Sequence, residues 1–138
     1  MTSPGPLDQD LKRLRALRSH LLKLHKALLD SERVLYEREH GPIKNSGEFF
    51  QLVISHDAFD WLRPISKFIV QIDEYLDPKV ESENPVEGAA ILLEKARLML
   101  KPAEASSTPL GSHYFQAIQR DPNIALMHAE MSQLLRER

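Results

Sequence analysis

The side chains of this protein that are able to carry chemistry are its histidines and carboxylates, because the chain has no cysteine. Glu37 and His40 form a Glu-x-x-His pair, the spacing that places a carboxylate and an imidazole on one helix face in di-iron bundles. A di-iron site needs a second such pair and two further inward glutamates, and the sequence has no second Glu-x-x-His. We therefore expect no di-iron centre, and we interpret His40 as the cationic end of a helix.

A second group of polar residues occupies positions where the helical pattern predicts core. The group consists of His25, Glu32, His56 and His128. An antiparallel pairing of helices about Lys44 places Glu32 opposite His56, and a hydrogen bond between them would satisfy two buried polar groups. The alternative is a metal or pH-sensitive site made from the four residues, because neutral imidazole and carboxylate are ligands of zinc. We expect the structural contact and no bound cofactor.

The sequence lacks the short motifs of the common enzyme classes. It contains no Gly-x-Ser-x-Gly turn for a nucleophilic serine, and its five glycines form no glycine-rich phosphate loop. The absence of cysteine removes disulfide scaffolds, thiolate metal sites and thiol nucleophiles. These absences predict a protein that is not an enzyme.

A segment of different composition lies at Ser55–Pro64, where the helical pattern is interrupted. It holds the single tryptophan of the chain, Trp61, together with Asp60 and Arg63. Tryptophan and arginine are enriched at interface hot spots, so we predict a partner-binding surface formed by Trp61, Arg63 and Asp60. In the alternative interpretation these residues are structural. Trp61 then covers the helices, and Arg63 pairs with Asp60 or Glu32.

Charge is distributed unevenly along the chain, although the formal net charge is only -2. The charged residues between positions 11 and 29 are all basic, and they are Lys12, Arg13, Arg15, Arg18, Lys23 and Lys26. Between Asp73 and Glu94 most charges are acidic, so we expect the two blocks to neutralise each other. The alternative is a nucleic-acid interface on the basic face. No aromatic or glycine residue interleaves with the basic run to stack on bases, so we expect nucleic acid not to be a partner.

Apolar spacing predicts helices through most of the chain. Leucines recur every seventh residue at positions 7, 14, 21, 28 and 35, which predicts a first helix from about Leu7 to His40 with Gly41 as its left-handed cap. Three more helices are predicted: one over Asn45–Asp77 kinked near Pro64, one between Asn84 and Pro102, and one from Ser112 broken at Asp121-Pro122.

These elements predict an all-α fold, a four-helix bundle built on a long antiparallel hairpin of the first two helices. The chain of 138 residues fits a single domain, with residues 1–6 as a flexible N-terminus and residues 101–111 as a loop. The third helix is about half as long as the first, so part of the hairpin's apolar stripe is left for a second copy. We therefore predict a homodimer. The alternative prediction is a monomer in which all the leucines are internal.

The longest apolar run, near Phe49–Ser55, falls short of the roughly 20 residues that span a bilayer. The N-terminus also lacks the pattern of a signal peptide, so we expect a cytoplasmic protein without a membrane partner. The strings Glu32–Gly41 and Asp60–Glu74 resemble small bacterial helical proteins of unassigned activity, and no function follows from this resemblance.

The function predicted from the sequence is that of a non-enzymatic helical interaction or assembly protein that binds itself or another protein. Two alternatives stay open. One is a helical protein that binds a metal or small ligand through the polar His and Glu residues, and the other is a weak nucleic-acid binder that uses the basic face of the first helix.

Overall fold

A computed structural model describes residues 6–79, 85–105 and 108–136, except for the side chains of residues 6, 7 and 85–87. The described residues form six α-helices and one 3-10 helix, and they include no strand. The α-helices are α1 (Pro6–His40), α2 (Ser46–Ser55), α3 (Arg63–Leu76), α4 (Pro85–Met99), α5 (Pro109–Arg120) and α6 (Pro122–Arg136), and the 3-10 helix (Asp57–Leu62) lies between α2 and α3. The predicted all-α class is confirmed.

The ends of α1 follow the local signals in the sequence. Gly41 has a φ of 85°, in the left-handed region that favours glycine, and its N–H donates to the carbonyl oxygen of Glu37 at 2.9 Å. Pro42 follows immediately and cannot continue the helix. The predicted span of α1 is therefore confirmed.

The predicted second helix is divided into α2, the 3-10 helix and α3. His56 leaves the helical region with φ -91° and ψ 137°, and its Nδ1 accepts from the N–H of Ala58 at 3.1 Å. Pro64 is the second residue of α3, a position at which its missing N–H costs no hydrogen bond. The predicted interruption between Ser55 and Pro64 is confirmed, and of the two expected forms, a kink at Pro64 or a restart near Asp57 or Asp60, the structure has a restart, with the 3-10 helix beginning at Asp57 and α3 at Arg63.

The remaining helix ends are set by caps and prolines. The Oγ1 of Thr108 accepts from the N–H of Gly111 at 3.1 Å, and α5 therefore begins at Pro109, three residues before the predicted start. The predicted break at Asp121-Pro122 is confirmed, since α5 ends at Arg120 and α6 begins at Pro122. Asn84, the predicted cap of the third helix, lies outside the described residues.

The core is built around α1, which contacts α3, α4, α6 and the 3-10 helix. The leucines of α1 that are at most 1% exposed are Leu14, Leu17, Leu21, Leu24 and Leu28. Because α4 and α6 contact α1, these five described leucines offer no exposed seam to a second copy. The sequence argument for a homodimer, which rested on an uncovered stripe, is therefore not supported by the packing.

The predicted four-helix bundle is not confirmed, because the described residues form six α-helices. The antiparallel arrangement is present between α1 and the segment formed by the 3-10 helix and α3. Arg18 near the start of α1 pairs with Asp73 near the end of α3, and Tyr36 near the end of α1 lies 6.2 Å from Phe59 of the 3-10 helix, between ring centroids. Within the described ranges, none of the helices has the length and apolarity that crossing a membrane requires.

Candidate interaction surface

The bend between α2 and α3 is held by the side chain of Arg63. Its Nη2 donates to the carbonyl oxygen of Ile54 at 2.5 Å and lies 3.0 Å from Oδ1 of Asp60. The Ile54 carbonyl belongs to the last turn of α2, where carbonyl groups have no partner within the helix. Arg63 thus satisfies the end of α2, and the exposed side chains of Arg63 and Asp60 lie beside that end.

Trp61 lies in the core and is only 4% exposed. Its indole stacks on the ring of His113 in α5, with ring centroids 5.3 Å apart and planes 14° from parallel. The indole Nε1 is buried and has no hydrogen-bond partner in the described part of the chain. Of the three residues predicted to bind a partner, the structure places Asp60 and Arg63 on the surface and Trp61 beneath it.

The helix α2 is the least buried helix near this bend, and none of its ten described residues is buried. Phe49, Leu52 and Val53 pack partly buried against the core. Phe50 and Ile54 point the other way and are 63% and 50% exposed. Residues four positions apart lie on the same helix face, so these two apolar side chains are neighbours on the surface.

Phe50 and Ile54 are continuous with the bend, because the Ile54 carbonyl accepts the hydrogen bond from Arg63. We call the surface formed by Phe50, Ile54, Asp60 and Arg63 the α2 face. Phe50 and Ile54 were not predicted as surface residues from the sequence. The available signal was that α2 carries apolar residues on both of its faces, and one short helix cannot bury both against a single core.

Glu32 is 7% exposed and pairs with Arg120 of α5, not with His56 as the sequence predicted. The distance from Oε1 of Glu32 to Nη2 of Arg120 is 3.0 Å, and Nε of Arg120 donates to Oγ of Ser31 at 3.0 Å. The prediction was wrong because the end of α5 packs at this level of α1 and supplies a cation to the buried carboxylate.

His56 instead belongs to a group of rings at the end of α1. Its ring meets Tyr36 edge-on at 5.1 Å and lies 5.9 Å from the ring of His40, between centroids. The four polar residues predicted to share a site, His25, Glu32, His56 and His128, are not brought together by these contacts. The described residues hold no group of three or more His, Cys, Asp or Glu side chains suited to a metal ion.

The basic face of α1 is partly neutralised within the fold. Arg18 pairs with Asp73 of α3, and Arg13 lies 3.7 Å from Asp10. The exposed basic residues are Lys12, Arg15, Lys23 and Lys26. Pairing of the basic block with the acidic end of α3 agrees with the prediction, whereas the side chains of Glu81, Glu83 and Glu87 lie outside the described part of the chain.

His128 lies in a chain of polar groups between α5 and α6. Its Nδ1 is 2.8 Å from the hydroxyl of Tyr114, and its Nε2 is 3.4 Å from Oγ of Ser132. Burial raises the pKa of Tyr114 and lowers the pKa of His128. His128 and Ser132 line a cleft of about 600 Å³ between α4 and α6. Only His128 of this site was a candidate from the sequence, because its other residues come from separate helices.

The chain matches no protein-family model, no curated protein and no solved structure in the three comparisons made.

Proposed function

We propose that the protein is a non-enzymatic helical interaction protein that self-associates through the α2 face. The observation that carries the proposal is the joint exposure of Phe50 and Ile54 beside the ion pair of Asp60 and Arg63. An aromatic and an aliphatic side chain bordered by polar groups have the composition of a protein interface, with an apolar centre and a charged rim. A cytoplasmic location is part of the proposal, since a chain without cysteine is suited to a reducing compartment.

The occupant proposed for the α2 face is a second copy of the chain. A two-fold interface uses the same patch on both copies, so the patch must be complementary to itself. The α2 face carries one acid and one base next to its apolar centre. A two-fold axis that passes close to this ion pair would place Asp60 of one copy near Arg63 of the other, twice over.

The size of the α2 face predicts a weak dimer. The ten residues of α2 extend about 15 Å, which is short compared with the elements of obligate interfaces. Stable interfaces bury about 800 Å² on each partner, and the four half-exposed side chains of the α2 face supply less than that. We therefore expect reversible association at micromolar or higher concentration.

The test is the molar mass measured by sedimentation over micromolar to millimolar concentration. The expected mass rises with concentration from 15.8 kDa towards twice that value. A variant with Phe50→Ser and Ile54→Ser is expected to stay monomeric. The control is Leu126→Ser on α6, which removes a side chain that is 58% exposed outside the α2 face. A wild-type mass of 15.8 kDa throughout, or equal weakening by the variant and its control, would contradict the proposal.

Charge reversal tests the two-fold arrangement separately. Asp60→Arg places like charges at the rim and should weaken the dimer, and adding Arg63→Asp should restore it. The rescue is expected to be partial, because the pair within one chain and the pair between copies are re-formed with the charges exchanged, whereas Arg63→Asp also removes the hydrogen bond to the Ile54 carbonyl. A double variant that dimerises no better than Asp60→Arg alone, with helical content unchanged, would exclude this interface. Binding of a different protein to a wild-type monomer would likewise replace self-association.

A further inference from the structure

The cleft between α4 and α6 has the size of a small-molecule site. Its volume is about 600 Å³, within the range of roughly 300 to 1,000 Å³ found for ligand pockets. It lies at the end of α4 and along the C-terminal half of α6. Its apolar lining is formed mainly by Leu100, Pro102, Met131 and Leu135. This lining would accept the hydrocarbon part of a ligand.

The charged lining of the cleft is basic. Arg97, Lys101 and Arg136 line it, and none of the lining residues carries a carboxylate. Glu94, outside the lining, pairs with Arg97 at 2.7 Å and neutralises it. Among the described residues, Lys101 and Arg136 therefore supply the net positive charge of the cleft.

The ends of α4 and α6 meet at this cleft, and helix C-termini carry negative partial charge. Two arginines cover this charge at the end of α6. Nε of Arg97 donates to the carbonyl oxygen of Leu135 at 2.6 Å, and Nε of Arg136 donates to the carbonyl oxygen of Ser132 at 3.3 Å. Carbonyl groups that would repel an anion are thus occupied by hydrogen bonds.

The polar groups of the cleft that are not charged are hydrogen-bond donors. Tyr114 is completely buried, and its hydroxyl lies 2.8 Å from Nδ1 of His128. The hydroxyl donates to Nδ1 when the neutral imidazole carries its proton on Nε2. The resulting Nε2–H faces Oγ of Ser132 at 3.4 Å, and both residues line the cleft. Burial lowers the pKa of His128, so the neutral imidazole is favoured at neutral pH.

We propose that this cleft binds a small amphipathic carboxylate. The carboxylate head is held by Lys101, Arg136 and the Nε2–H of His128, and the hydrocarbon part lies against Leu100 and Met131. This proposal does not depend on self-association through the α2 face.

The first test is titration calorimetry with octanoate. Octanoate is expected to bind with one site per chain, whereas acetate, which lacks the hydrocarbon, and octyltrimethylammonium, which has the opposite charge, are expected not to bind. Lys101→Glu should weaken octanoate binding about tenfold, because it replaces an attractive exposed charge by a repulsive one. The matched control is Lys67→Glu, which reverses an exposed lysine on α3 outside the cleft.

Three outcomes of this titration would overturn the proposal. They are no binding of octanoate, equal binding of the cationic analogue, and equal weakening by Lys101→Glu and Lys67→Glu. The variant with Phe50→Ser and Ile54→Ser is expected to bind octanoate as the wild type does. Failure of the proposed dimer and failure of the proposed octanoate site can therefore be distinguished.

The second test addresses the orientation of His128. Tyr114→Phe removes the hydroxyl that fixes the proton on Nε2, so nitrogen NMR of His128 should report a mixture of tautomers. Octanoate affinity should fall severalfold while helical content stays the same. If the tautomer and the affinity are both unchanged, the assignment of His128 as a donor to the carboxylate is wrong.

Discussion

The buried carboxylate of Glu32 makes the stability of the fold depend on Arg120. Glu32 is 7% exposed, and Arg120→Met would leave its charge without a counter-charge inside the protein. Removing one partner of a fully buried pair costs about 3 to 5 kcal/mol. Arg120 is itself partly exposed, so water reaches the site, and we expect a lower free-energy cost of about 2 to 3 kcal/mol.

The matched control for this substitution is Arg18→Met. Arg18 and Asp73 also join two helices, but both side chains are exposed by 40% or more, and such pairs contribute about 1 kcal/mol or less. The assay is urea unfolding followed by circular dichroism, with the midpoints and slopes compared among the variants and the wild type. If Arg120→Met and Arg18→Met lower the free energy of unfolding equally, burial of Glu32 does not govern the strength of its pair.

Three further predictions concern the core, the cap of α1 and the buried histidine. Leu21→Ala should lower the free energy of unfolding by about 2 to 5 kcal/mol, because Leu21 is buried. Leu22→Ala, on the exposed side of α1, should lower it by about 0.5 kcal/mol or less. Equal urea midpoints for the two variants would contradict the packing of α1. Gly41→Ala should cost about 1 kcal/mol because of its positive φ, measured in the same assay, and an unchanged midpoint would exclude that strain. Burial lowers the pKa of His128 in the folded state, so the unfolded chain binds more protons and stability falls as pH drops below 6.5. His128→Gln should reduce this loss of stability, which is measured by thermal unfolding at pH values from 7 to about 5.

Helix boundaries were predictable from the sequence because their signals are local. The left-handed glycine after α1 and the proline at the start of α6 act through bonds within a few residues. The interruption after Ser55 was also predictable, because Pro64 cannot donate a backbone hydrogen bond. The cap that starts the 3-10 helix was not predictable, since it depends on the side chain of His56, whose Nδ1 accepts from the N–H of Ala58.

The partners of buried polar residues were not predictable in the same way. Glu32 and Arg120 are separated by 88 positions, and nothing local in the sequence indicates that α5 ends against α1. The cleft was not predicted for the same reason. Its lining residues come from α4 and α6, and Tyr114 of α5 contacts His128 in that lining. Periodicity identified α2 as an apolar helix, but it does not decide which of two apolar faces is turned to the core.

The two proposed sites are connected through α5. His113 and Tyr114 are consecutive residues, and the first stacks on Trp61 at the bend while the second contacts His128 at the cleft. A chain of contacts transmits binding energy only if an element along it has two arrangements that the sites favour differently. Tyr114 is completely buried and hydrogen-bonded, so α5 has little freedom to adopt a second arrangement.

We therefore expect octanoate to leave the dimerisation constant unchanged. By linkage, saturating octanoate must shift the dimerisation constant by the square of the factor by which dimerisation shifts octanoate affinity, because each dimer carries two sites. Sedimentation with and without octanoate gives the first quantity, and calorimetry on the wild type and on the variant with Phe50→Ser and Ile54→Ser gives the second. Factors that differ from one and obey this relation would show that the two sites are coupled. In that case Trp61→Phe, which alters the stacking on His113, should change both factors together.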